Sequence, residues 1–245
     1  SFTVADIAEE SNASDATVVR TCKSLGFSSF QDFKVSMARN LAYPLRTSYS
    51  VICPDDTAEM VVDKIFKENI HTLQMTFSAS SARKIEEAAE ILMQAERILI
   101  FAEGESHAVA NDMQHKMMRL GMTAIAYTDT VLLLMASVIA KETDAVFMVD
   151  HCGDSANLVE AAKLCRSKGA RIISLSSAPK SPLGKISDIT LTTVSNETNF
   201  RMNSISSRLA QFTLIDCLCN IMYLKMPQTE SVFGDIDEAM KRRKL

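Results

Sequence analysis

The chain has 245 residues, 47% of them apolar and 23% charged, which is enough apolar material for one large domain or a medium domain with a small companion. Lysine plus arginine total 26 against 30 acids, a net charge of −4; this excludes a uniformly basic nucleic-acid coat and leaves room for a local DNA-binding face. Six cysteines (Cys22, Cys53, Cys152, Cys165, Cys217 and Cys219) include no CxxC pair and have no histidine cluster beside them, so a reduced cytoplasmic protein without metal or other cofactor is expected.

The first predicted element is a short helix over 3–10, with Val4, Ile7 and Ala8 on one side. A turn at 11–14 leads into a second helix, 15–25, capped by Ser14 and ended by Gly26. Val18, Val19, Cys22 and Leu25 can face inward, which leaves Thr17, Arg20, Thr21 and Lys23 to solvent. At 1.5 Å per residue this helix is a rod of roughly 16 Å, a size that fits a major groove. Two short helices at a tight turn fit a helix-turn-helix, and equally two helices of an ordinary all-α protein. Charge does not separate the two readings. Residues 1–46 hold five basic side chains (Arg20, Lys23, Lys34, Arg39, Arg46) against five acids.

Pro44 and Pro54 bracket a polar stretch without a helical stripe, and each disfavours the α region for the residue before it. The main boundary is placed there. From 55 to about 77, Met60, Val61, Ile65, Phe66, Ile70 and Leu73 recur at helical steps behind an Asp-Asp-Thr start, predicting one amphipathic connector helix. The rhythm then changes. Apolar runs at 97–102, 123–127, 145–149, 171–175 and 189–192 alternate with helical spacing at 106–120, 130–141, 155–168 and 204–224. Five such runs predict a doubly wound parallel sheet covered on both faces, an α/β architecture. Glycines are few, and Gly121 and Gly169 stand where left-handed C-caps are expected. The longest apolar run, 131–140, is about half a bilayer span, so no membrane partner is expected. Cys217 and Cys219 are expected to be packed, and the basic run 241–244 to be a solvated tail.

An open parallel sheet binds ligands beyond the carboxyl ends of its strands. Two loops of interest lie there. The first, 102–106 (Ala-Glu-Gly-Glu-Ser), offers Gly104 for close backbone approach and Ser106 at a helix start, where N–H groups and the dipole favour an anion. The second, 150–155 (Asp-His-Cys-Gly-Asp-Ser), also enters a helix. Either loop alone is ordinary strand-to-helix punctuation; their pairing at neighbouring strands is the stronger signal.

The segments Asp6-Ile-Ala-Glu-Glu, Ser14-x-Ala-Thr-Val-Val-Arg20 and Leu25-Gly-Phe-Ser-Ser-Phe-Gln-Asp-Phe-Lys34 resemble the helix-turn-helix of the RpiR family of bacterial sugar-responsive transcription regulators. The family's first helix is lacking, consistent with truncation at the start. The resemblance implies Ser14, Thr17, Arg20 and Lys23 as phosphate and base contacts and Lys34 as a backbone contact on a double-stranded operator. Phe27, Phe30 and Phe33 read as core. The region from about 97 to 224 resembles the sugar-isomerase (SIS) domain that follows the helix-turn-helix in this family, through the two loops, His115-Lys-Met-Met-Arg-Leu-Gly121, Ser181-Pro-Leu-Gly-Lys-Ile-Ser-Asp188 and Ser206-Ser-Arg-Leu-Ala-Gln-Phe. The implied organisation is an incomplete helix-turn-helix domain at 1–46, a linker and connector helix at 47–78, an SIS effector domain at 79–228 and a C-terminal tail at 229–245. A homodimer or higher homo-oligomer is implied as well.

The SIS family grips phosphosugars with a serine in the first loop and a Ser-x-Ser-Gly-x-Thr/Ser second loop. Here Ser106 and Ser155 match, while Asp150 and Cys152 replace the first two serines of the second loop and Ala102 replaces a glycine of the first. A carboxylate at about 4 Å from a phosphate charge, at an effective dielectric near 20, costs about 4 kcal/mol per charge pair. Three accounts compete. Asp150 turns away and His151 supplies a donor; the ligand is an uncharged or amino-bearing sugar; or the pocket has lost binding. Glu103, Glu105 and Asp154 favour the last two, and a modified sugar-related ligand is preferred. The expected effector set is Gly104, Glu105, Ser106, Asp150, His151, Cys152, Gly153, Asp154 and Ser155, with Glu197, Arg201 and Ser207 supplied from the stretch before the final helix. Arg208 with Asp216 reads as a structural pair.

The function expected is a one-component transcription regulator, not an enzyme, whose SIS domain senses a sugar phosphate or related sugar metabolite and changes operator binding. The rivals are an SIS-type sugar-phosphate isomerase or lyase using Glu103, His107 or Glu197, and a dimerisation module with a vestigial pocket.

Overall fold

The computed structural model describes residues 3–11, 13–24, 29–31, 33–34, 52–195, 205–227 and 229–241. The chain divides into two units, 1–64 and 65–245.

In the first unit, α1 (Val4–Glu10) starts at Thr3, whose hydroxyl accepts the Asp6 N–H at 3.2 Å while the Asp6 carboxylate accepts the Thr3 N–H at 2.7 Å. This reciprocal box satisfies two of the helix's orphan donors, and hydrogen bonding of the Asp6 carboxylate to the Thr3 N–H first and to the Thr3 side chain second holds its carboxyl below the usual range. α2 (Asp15–Ser24) follows the turn, with Ser14 Oγ accepting the Thr17 N–H at 3.3 Å. Ala8 of α1 and Val18 and Cys22 of α2 are buried. This is the two-helix corner that the apolar spacing predicts. Leu25, Gly26 and Phe27 lie outside the described residues; the Phe30 and Phe33 rings stand 6.1 Å apart. α3 (Ala58–Ala79), the amphipathic helix expected over 55–77, runs across the division at residue 64; from its second turn Lys64 Nζ grips both carboxylate oxygens of Asp56, two residues ahead of the helix, at 2.7 Å.

The second unit holds a five-stranded, all-parallel sheet in the order β2-β1-β3-β4-β5. Its elements are α4 (Ala82–Gln94), β1 (Arg97–Ala102), a 3₁₀ turn (Gly104–Ser106), α5 (His107–Arg119), β2 (Ala124–Tyr127), α6 (Thr130–Val138), β3 (Asp144–Val149), α7 (Ala156–Ser167), β4 (Arg171–Ser176), α8 (Pro182–Ile186), β5 (Ile189–Thr192), α9 (Ser206–Lys225) and α10 (Thr229–Lys241). Strand residues alternate between two cores, as the two-residue pleat requires. Ile98, Ile100, Phe147, Val149, Ile173 and Leu175 pack under α4, α5 and α9. Leu99, Phe101, Val146, Met148 and Ile172 pack under α6, α7 and α8. Phe101 and Phe147 have no exposed surface, each contributing about 2–3 kcal/mol of transfer free energy.

Three elements differ from the sequence reading. α4 falls in a stretch for which only the domain boundary is expected; its buried stripe, Ile85, Ala88, Ala89 and Leu92, is half alanine and gives a weak apolar signal. α8 is a short helix started by Ser181 and Pro182. The expected tail is helical to Lys241: α10 sets Val232 against the Gly121 backbone, and Phe233 against the Tyr223 ring (5.8 Å) and the Arg119 guanidinium (4.9 Å). Residues 242–244 of the basic run lie outside the described residues. Gly121 and Gly169 have the left-handed φ expected, +81° and +86°. No helix among the described residues is long and apolar enough to cross a membrane.

Candidate functional site

The strand order reverses between β1 and β3, so the loops leaving those strands diverge to opposite sides of the sheet and open a crevice at its carboxyl end. The first loop turns at Gly104 (φ +56°), and Gly104–Ser106 form the 3₁₀ turn that feeds α5. Ser106 stands at the α5 start, half-buried, with no cap bond from its hydroxyl. Glu105 is exposed and pairs with Arg208 at the start of α9. Asp216 pairs instead with Lys116 at 2.8 Å. The expected Arg208–Asp216 pair is therefore not formed: the two lie more than two turns apart on α9, and each finds an opposite charge on the α5 side.

In the second loop, Ser155 caps α7, its Oγ accepting the Leu158 N–H at 3.4 Å. Asp150 turns into its own loop, where Oδ2 accepts the Ser155 N–H at 3.0 Å. The carbonyl of half-buried His151 accepts the Ser177 N–H at 2.8 Å and the Ser177 hydroxyl at 2.7 Å, which ties this loop to the end of β4. Cys152 and Asp154 are exposed, and Gly153 is buried at φ +70°.

Glu103 joins the two loops. One oxygen of its carboxylate accepts the Ser155 hydroxyl at 2.6 Å, and the other accepts the Thr130 hydroxyl at 2.7 Å and the Asn157 amide at 2.9 Å. Burial raises the Glu103 carboxyl, but the bonds from Ser155, Thr130 and Asn157, helped by His107, outweigh it and hold the group below the usual glutamate range. Thr130 and Asn157 escape a reading confined to the two loops. The signal for Thr130 is its place as the first residue of α6, behind the Asp129 cap and three residues past the end of the neighbouring strand β2.

Ser207 is buried in the first turn of α9; Glu197 and Arg201 lie outside the described residues. His107 and His115 are exposed. Cys219 is packed, burial pushing its thiol up to about 12, whereas Cys217 is exposed, one helical step round from the buried Leu218. No cluster of metal-ligating side chains occurs among the described residues.

Ser14, ahead of α2, and Thr17 and Arg20 on it are exposed, and the Ser14 and Thr17 hydroxyls are 2.9 Å apart. Lys34 is half-buried; the Lys23 side chain lies outside what is described.

A two-helix corner in one unit and a parallel sandwich with a strand-end crevice in the other are the folds of a helix-turn-helix domain and of a sugar-isomerase-type domain. Residues 91–221 match the SIS domain family, and residues 1–44 match the helix-turn-helix domain of the rpiR family. The HTH-type transcriptional regulator YbbH of Bacillus subtilis is 34% identical over 96% of this chain and 83% of its own length. HexR of Escherichia coli is 35% identical over 88% of this chain and 74% of its own. The Vibrio vulnificus NanR protein complexed with ManNAc-6P has the same fold, with a TM-score of 0.71 at 24% identity over 98% of this chain and 86% of that one. The chain belongs to the RpiR family of helix-turn-helix transcriptional regulators with an SIS domain.

Proposed function

We propose that this regulator binds a double-stranded operator through Ser14, Thr17, Arg20, Lys23 and Lys34, and that a sugar-related metabolite held at the strand-end loops modulates that binding. One observation carries the effector half of the reading: the loops after β1 and β3, 52 residues apart in the chain, converge on a single point where Glu103 meets Ser155. The DNA half rests on family membership and on the exposed polar face of α2. NanR, complexed with ManNAc-6P, supports a sugar derivative as the class of ligand. The working unit is a homodimer or higher homo-oligomer, organised as helix-turn-helix (1–46), connector (47–78) and effector domain (79–228).

The enzyme reading draws on neighbours such as a phosphoheptose isomerase from Francisella tularensis, with a TM-score of 0.58 at 20% identity. An isomerase needs a base poised near neutral pH beside the sugar carbons. Glu103, engaged by three donors and held low, is a poor base, and His107 stands exposed at the start of α5. The regulator reading is therefore preferred.

The test is operator binding by fluorescence anisotropy, with and without each metabolite that raises the melting temperature of the purified protein. An effector shifts DNA affinity only by its differential affinity for the two states of the protein. A changed operator affinity with at least one such ligand is expected; constancy across all of them rejects the coupling.

A further inference from the structure

A phosphate held at strand-end loops needs donors directed at its oxygens: hydroxyls, amides and the N–H groups of a helix start. This site has them. They are the Ser155 hydroxyl, the Thr130 hydroxyl, the Asn157 amide and the Ser155 N–H. Each is already taken by a carboxylate, the first three by Glu103 at 2.6, 2.7 and 2.9 Å and the fourth by Asp150 at 3.0 Å. The site thus carries its own anion where a phosphate would find its donors. The three groups on Glu103 come from α6, the cap of α7 and its first turn, so this carboxylate sits at the meeting point of β1, α6 and α7.

We infer that Glu103 is the residue that sets ligand charge at this site: its carboxylate stands in for a phosphate, rejects dianionic ligands, and selects a sugar-related ligand presenting hydroxyl or amine donors there. This rests on the effector reading above and specifies its ligand class. A carboxylate accepts about four hydrogen bonds, and Glu103 receives three. A sugar hydroxyl or an ammonium group can supply the fourth. A phosphomonoester dianion brings acceptors only at its phosphate, and inorganic phosphate near neutral pH at most one or two P–OH donors; either would have to settle beside the carboxylate while bearing like charge. Glu103→Gln keeps the shape and removes the charge. Its amide can still accept from Ser155 or Thr130, and its N–H₂ can turn toward an incoming anion.

Inorganic phosphate is the probe, because it asks about charge without presuming a sugar. Calorimetric titration of the full chain is expected to give no saturable binding at millimolar phosphate, while Glu103→Gln binds it at least about 10-fold more tightly. Glu103→Ser, which removes the carboxylate in a smaller side chain, is expected to gain likewise. Adding Ser155→Ala to Glu103→Gln is expected to abolish the gain, locating it at these loops. Wild-type binding as tight as that of the variants overturns the inference, and so does the absence of any gain in variants whose circular dichroism and melting show them folded. Both results leave the effector reading standing, since that depends on the operator response. A gain in the variants with no ligand that moves operator affinity would instead retain the role of Glu103 and remove the sensor.

Discussion

Asp144 shows what one ionised side chain does for this sandwich. It opens β3 directly beside Arg97, the first residue of β1, and its carboxylate has no exposed surface. Burial raises its pKa, but two bonds from Arg97, at 2.8 and 2.6 Å, and one from the Lys141 N–H at 2.8 Å prevail, so the group is held below the usual aspartate range. A carboxyl depressed in the folded state stabilises it at every pH above its unfolded value and loses that contribution as pH falls through the folded value. Glu103 and Asp188 are depressed as well. Stability by urea denaturation is therefore expected to be level from pH 7 to about 5 and to decline below about pH 4. Asp144→Asn leaves Arg97 facing an amide in the interior and is expected to cost about 3 kcal/mol at pH 7 and to flatten the acid limb. The exposed Arg83–Glu87 pair is expected to give under about 0.5 kcal/mol in the same measurement. None of this is visible in residue order. Asp144 reads as the polar end of an apolar run, and its partner lies 47 residues earlier. Glu103 likewise reads as one more acid near a phosphate loop, because its three donors are assembled only when β1, α6 and α7 come together.

At the level of elements, the five strands match the apolar runs to within a residue at each end, since a strand buried on both faces must be apolar throughout. The connector helix and the two-helix corner are legible for a similar reason, as their periodicity is local. Contacts between loops are not. Gly153 illustrates the difference: the sequence marks it as a turn glycine, whereas the structure sets its Cα against Ser181, the cap of α8, with the Gly153 carbonyl accepting the Leu183 N–H at 3.0 Å. A Cβ there would stand 2.2 Å from Ser181 Oγ, on a backbone already at φ +70°. Gly104, at φ +56°, has nothing within 4 Å of the same atom. Gly104→Ala is expected to cost only the left-handed strain, about 1 kcal/mol. Gly153→Ala adds a displaced buried cap and should cost about 3 kcal/mol or more. Urea midpoints at constant m-value separate the two, and equal costs would show that Ser181 yields freely. α10 is a different case. Val232, Phe233, Ile236 and Met240 stand at helical spacing, a stripe of only three turns that the charged residues Asp235, Asp237, Glu238 and the basic run after it make easy to read as tail; contacts with α5 and α9 hold it.

For the molecule as a whole, net charge works against nucleic acid: −4 overall, and no basic surplus in the first 46 residues. Long-range attraction is then weak, and operator affinity must come from a few well-placed contacts, so each should matter more than in a basic domain. Arg20 is the side chain on which this turns, exposed on α2 one turn beyond the Ser14–Thr17 hydroxyl pair. Arg20→Ala is expected to weaken operator binding by about 10-fold or more, corresponding to 1–3 kcal/mol for a bidentate base contact. Titrations at two salt concentrations, on operator and on random duplex, divide the roles: a base contact relaxes specificity at one position, whereas a phosphate contact lowers affinity on both duplexes and reduces the salt slope by about one. An unchanged operator affinity would place the DNA face elsewhere. In the proposed switch the two binding equilibria are linked, so whatever factor an effector applies to operator affinity the operator must return to effector affinity. Arg20→Ala should therefore leave effector affinity of the DNA-free protein unaltered and shift the operator's influence on it to about 10-fold higher operator concentration, a result that a merely misfolded variant cannot reproduce.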